Sequence, residues 1–101
     1  MMRRITLAAM AGVVAGLAVG CASSPPVQEL SDARQAIMAA EDAGADRYAT
    51  ARLNAAQMLL ASAEEKLQEQ DYRGARTDAV SAHSRAVEAR VIARANLPEN
   101  R

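Results

Sequence analysis

The chain has no tryptophan or phenylalanine, one cysteine, one histidine and no surplus of either charge, with 12 Lys and Arg against 12 Asp and Glu in 101 residues. Each shortage removes a class of protein. Without a basic surplus there is little to displace counterions from a phosphate backbone, so nucleic-acid binding is not expected. One Cys cannot build a disulfide framework or a thiolate zinc site, and a lone His83 has no second His with which to hold a metal. Two tyrosines offer no stacking platform for single strands, and no glycine-rich phosphate loop is present. Proline is confined to Pro25, Pro26 and Pro98, which leaves a long stretch free of helix breakers. The length allows one small domain.

The first twenty residues read as a leader. Met1 to Arg4 is short and positive, Ile5 to Gly20 carries no charge, and the stretch closes on small residues, the three-part pattern of a secretory signal. Its apolar part is too short and too rich in Gly and Ala for a spanning helix, which needs about 20 predominantly apolar residues. Residues 1–20 are therefore expected to be cleaved, leaving 81 residues with 10 basic and 12 acidic groups.

The run Leu17-Ala18-Val19-Gly20-Cys21 resembles a bacterial lipobox, in which small residues precede a cysteine that receives diacylglycerol and is then N-acylated. It departs from the commonest pattern at Ala18, where Leu is usual. An odd thiol in an oxidising compartment is a liability, and lipidation of Cys21 would remove it. The competing readings are a plain signal peptide or an uncleaved anchor. By resemblance to Gram-negative sorting, Ala22 rather than Asp after the cysteine points to the outer membrane. Several acyl chains, at about 0.8 kcal/mol per buried methylene, would make the anchor stable.

Residues 21–29 read as the lipidated cysteine and a short tether stiffened by Pro25 and Pro26. A helical domain is expected over 30–96 and a disordered tail over 97–101. Leu30, Ala33, Ile37 and Ala40 fall at helical spacing over Leu30 to Ala43, with Ser31 as N-cap and Gly44 as a left-handed stop. Asp46 to Ala49 reads as a connector. Leu53, Ala56, Leu60, Ala63 and Leu67 form a seam on a second helix from Thr50 to about Gln70. Tyr72, Ala75, Ala79, Ala82, Ala86, Ala89 and Ala93 continue the same alternation on a third helix, to about Ala95, which Asp71 can cap and whose negative end Arg90 and Arg94 suit. The short gap between these two helices makes them an antiparallel hairpin. The fold class expected is all-α: a helical hairpin with a shorter N-terminal helix, a three-helix arrangement.

Leu, Ile and Val number only 12 in the 81 residues after the leader, and an alanine face buries little area at about 25 cal/mol per Å². The hairpin alone should be marginal. Either the first helix folds back on it, or the row Val80, Val87, Val91 and Ile92 docks on a partner or a second copy. The row could equally pack against the first helix.

Little catalytic chemistry is legible. Ser81 and Ser84 lie too near His83 in sequence to share a face with it as nucleophile and base. Glu64, Glu65, Glu69 and Asp71 crowd the hairpin end, but Lys66, Arg73 and Arg76 stand close enough to make a salt-bridged turn of them. Tyr48 and Tyr72 read as bulky plugs at the two ends of an alanine-lined hairpin. Eleven of the twelve basic residues are Arg, so a face with Arg85, Arg90, Arg94 and Arg101 could grip lipopolysaccharide phosphates or an acidic protein; codon bias with helix propensity is the favoured explanation.

Glu29-Leu30, Ala33-Arg34-Gln35-Ala36-Ile37, Ala43-Gly44-Ala45, Tyr48-Ala49, Leu53, Ala56, Leu60, Ala63-Glu64, Lys66-Leu67, Asp71-Tyr72, Ala75-Arg76 and Ala79 together resemble the family of the four-three-nine-eight domain of unknown function. The resemblance covers most of the chain after the leader and departs at Thr50, where relatives often carry Pro. It implies a short envelope lipoprotein. Some relatives carry a peptidoglycan-binding domain; no such segment fits here. The Asp71-Tyr72 turn also resembles a tetratricopeptide hairpin, but no period of about 34 residues repeats.

The expectation is thus a non-enzymatic outer-membrane lipoprotein. It would be held by acyl chains on Cys21, would face the periplasm, and would serve a structural or protein-interaction role in the envelope. Val80, Val87 and Val91 are the candidate partner face, for an envelope protein or a homo-oligomer. No catalytic residue, cofactor, metal or small-molecule substrate is expected. The alternative is an adaptor that binds a partner helix of an envelope enzyme or transport machine. Attachment to peptidoglycan in the manner of the murein lipoprotein is disfavoured, since Pro98-Glu99-Asn100-Arg101 lacks the terminal Lys used for it.

Overall fold

Leu30, Ala33, Ile37 and Ala40 recur in steps of three and four, and in the computed structural model, which describes residues 24–98, all four are buried on one face of helix α1 (Val27–Asp42). The helix starts three residues before Leu30. Pro26 takes the N-terminal position, where its missing N–H costs nothing, and its carbonyl accepts from the Leu30 N–H at 3.0 Å. No side chain caps this end; Ser31 sits inside the helix and accepts from Gln35 Nε2 at 3.3 Å. Gly44, at φ +92°, ends α1 in the left-handed conformation that glycine adopts without a Cβ penalty.

The segment expected to be a connector holds one helical turn, α2 (Ala45–Tyr48). Helix α3 (Thr50–Gln68) begins with Thr50 Oγ1 donating to the Asp46 carbonyl at 3.0 Å. It ends in a Schellman turn. The Asp71 N–H reaches back to the Lys66 carbonyl at 2.8 Å and the Gln70 N–H to Leu67 at 3.0 Å, with Gln70 held at φ +63° where glycine is usual. Helix α4 (Tyr72–Asn96) starts at once, and Asp71 caps it by accepting from the Gly74 N–H at 3.0 Å. A Cβ on Gly74 would collide with the Asp71 carboxylate, so glycine here leaves the cap its space.

Helix α4 is the centre of the packing. Ala75, Ala79, Ala82, Ala86, Ala89 and Ala93 are all fully buried, and they face α3 on one side and α1 on the other. Small side chains let three backbones approach closely. The bulk comes from Leu30, Ile37 and Leu53, with Leu60 and Leu67 packed at the edge. Because α1 folds back against the hairpin, the three-helix arrangement forms within one chain. Helix α3 runs antiparallel to both others, as cross-helix pairs Arg34–Glu64 and Lys66–Asp78 at one end and Arg52–Glu88 further along require. The described residues are helical with no strand.

Candidate interaction face

The alanine seam fixes what α4 shows to solvent. With Ala82, Ala86 and Ala89 turned inward, Val80, Val87 and Val91 fall on the far side and are 54%, 43% and 62% exposed. Val80 and Val91 are thus left largely open to solvent. Ile92, grouped with them from sequence, belongs elsewhere: it is half-buried and packs against the core cluster around Ala89 and Ala93. Its position a turn's fraction nearer the seam is the reason. Two shallow depressions flank Val87. One lies between α1 and α4, with Asp32, Gln35 and Ala36 opposite His83 and Arg90. The other, toward α3, is bordered by Arg52, Glu88, Val91 and Ile92.

Charge is unevenly divided. Helix α4 holds five Arg against Asp78 and Glu88, whereas α1 holds Glu29, Asp32, Glu41 and Asp42 against Arg34. Arg76 pairs with Glu29 at 3.4 Å, and Arg85 and Arg52 share Glu88 at 3.2 and 3.5 Å. Arg73, Arg90 and Arg94 have no acidic partner among the described residues. They stand on the same exposed half of α4 as the valines.

The acidic hairpin end differs from the expected salt-bridged turn. Glu64 reaches away to Arg34 of α1 at 2.9 Å, Arg76 turns to Glu29, and Lys66 crosses to Asp78 at 2.8 Å. Asp71 is occupied as a helix cap, and among the described residues no ion pair closes within the turn itself. Asp78 also accepts from Ser62 Oγ at 2.6 Å. The Lys66 ammonium, and then the Ser62 hydroxyl, hold the Asp78 carboxyl below its ordinary value, while hydrogen bonding to Asp78 raises Lys66 above its own. The Asp78 carboxylate thus links α3 to α4 across the hairpin.

His83 is exposed and alone, Ser81 is half-buried and Ser84 exposed, and among the described residues no three His, Cys, Asp or Glu gather as a metal cluster. Tyr48 packs against the core near α2, and Tyr72 is half-buried at the opposite end. Cys21 lies outside the described residues. No described helix is long and apolar enough to cross a membrane.

Sequence reasoning missed one cluster. Arg76 Nη2 donates to the Ser24 carbonyl at 3.1 Å while its Nε pairs with Glu29, and between them Pro26 is fully buried. Residues 24–29, read from sequence as flexible tether, are seated on the bundle. The Pro-Pro pair gave the tether signal; the burial of Pro26 depends on α1 and α4 being adjacent, which no local pattern announces.

Among known families, the model of one described as Domain of unknown function (DUF4398) matches residues 28–101. No curated protein and no solved structure matches the chain.

Proposed function

The chain belongs to the DUF4398 family, and from that premise we propose that it is a non-enzymatic lipoprotein of the outer membrane, facing the periplasm and serving the envelope as a protein-interaction module. The leader, the lipobox-like run and the position of the single thiol support acylation of Cys21. The observation that carries the interaction role is the exposed row Val80, Val87 and Val91 beside Arg73, Arg90 and Arg94, which lack acidic partners among the described residues. Apolar side chains at helical spacing, bordered by free guanidinium groups, suit an acidic amphipathic helix of an envelope protein. A second copy suits the face poorly, because α4 against α4 would bring arginines together.

A photo-crosslinker at Val87 in living cells tests this. The expected result is an adduct with one envelope protein, lost when Arg90→Glu and Arg94→Glu reverse the local charge. Absence of any adduct, or adducts between copies alone, would contradict the reading. Capture of an enzyme or transport subunit would make the chain its adaptor. Palmitate label present in the native protein and missing from Cys21→Ser is expected for the anchor.

A further inference from the structure

The Ser24–Pro26–Glu29 cluster determines where an anchor would leave the bundle. Arg76 lies in the second turn of α4 and Glu29 in the first turn of α1, so both helix starts and the Gln68–Asp71 turn sit at one end of the molecule. Gly44 and Leu97 meet at the other. We propose that the hairpin-turn end is the face held against the bilayer and that the α2 end points away from it.

This rests on the acylation of Cys21. Only residues 22 and 23 lie between Cys21 and the seated Ser24, and the three steps from Cα to Cα span at most about 11 Å. The 25 residues of α4 extend roughly 37 Å at 1.5 Å per residue, so the far end cannot share the near end's proximity unless the bundle lies flat. Neither α1 nor α4 gives the bundle a strongly membrane-seeking side on which to lie flat. Helix α1 exposes Glu41 and Asp42 at the α2 end, where an anionic surface would repel them, and α4 sets its arginines beside three valines but none of the Trp, Phe or Leu that bury an interfacial helix. Arg76 therefore acts as a latch: by holding Ser24 and Glu29 it turns a flexible tether into a short fixed mount.

The test uses the full acylated protein in phosphatidylethanolamine–phosphatidylglycerol vesicles containing acceptor-labelled lipid. A donor dye is placed at Glu69→Cys or at Ala95→Cys, both exposed positions at opposite ends, since acylated Cys21 offers no competing thiol. Energy transfer should be several-fold stronger from position 69. Inserting about 15 Gly and Ser residues after Ala22, a reach of roughly 21 Å, should bring the two efficiencies together. Equal transfer from the native-length protein, as a bundle lying on its Arg face would give, overturns the proposal; so does a difference that survives the insertion. Intact mass before reconstitution separates the two failures: a protein without acyl chains defeats the lipoprotein reading, whereas an acylated protein with equal transfer defeats the orientation alone.

Discussion

Ala86→Leu sets two effects of similar size against each other. Ala86 is fully buried in the cluster that contains Ile37, Leu53, Ala89 and Ala93. Three added carbons would gain about 2.4 kcal/mol, at about 0.8 kcal/mol each, if the helices could part to receive them. If they cannot, forced rotamers and backbone shifts cost about 1–3 kcal/mol. The structure favours the second outcome. Six consecutive seam positions on α4 are alanine at zero exposure, and both neighbouring helices close on the same strip, so relief on the α3 side would compress α1. A net loss of about 1–3 kcal/mol is expected, which for a domain of this size lowers Tm by roughly 5–20 °C. Thermal unfolding followed by far-ultraviolet circular dichroism reads it, with Val87→Leu next door, on the exposed face, expected within about 0.5 kcal/mol of the native protein. An unchanged or higher Tm for Ala86→Leu would refute close approach as the reason for the alanines.

Gln70→Gly should stabilise the fold by about 0.5–1 kcal/mol, because residue 70 sits at positive φ in the Schellman turn; a loss would show that the Gln side chain matters there. Asp71→Ala should cost about 1 kcal/mol by removing the α4 cap. Gly74→Ala should destabilise the native protein by displacing that cap, yet gain up to about 1 kcal/mol in the Asp71→Ala background, and the same sign in both would contradict the steric account. Asp78, with a folded pKa below its ordinary 3.8, contributes stability that is present above that value and lost as pH falls through the folded one. Lys66, raised above 10.5, contributes below that value and loses its contribution as pH rises through the folded one. Acid titration of unfolding should therefore show a shallower dependence below about pH 4 in Asp78→Asn.

The parts of this fold that repeat locally were readable in advance. Every seam residue assigned to α1 is buried, and Ala75 to Ala93 on α4 are buried without exception, since a three–four alternation of small side chains has one geometric solution. Gly44 and Asp71 act as stop and cap because those roles depend on one residue and its immediate backbone. What failed depends on distant neighbours. Ser31 was the expected start of α1, but the helix begins after Pro26, whose burial comes from the packed bundle. Arg34 and Glu64 are thirty positions apart, so their pairing waited on α1 crossing α3. Ile92 looked like a fourth member of the valine row until the rotation of α4 against its neighbours turned it toward the core. Exposure of Val80, Val87 and Val91, by contrast, follows from the same wheel that buries the alanines.

The state of residue 21 in protein extracted from cell membranes bears most directly on the whole account, and intact-mass and peptide mass spectrometry measure it. The account predicts a chain that begins at Cys21 and carries acyl chains on that residue. A chain that still begins at Met1, or one with an unmodified Cys21 thiol, would contradict it.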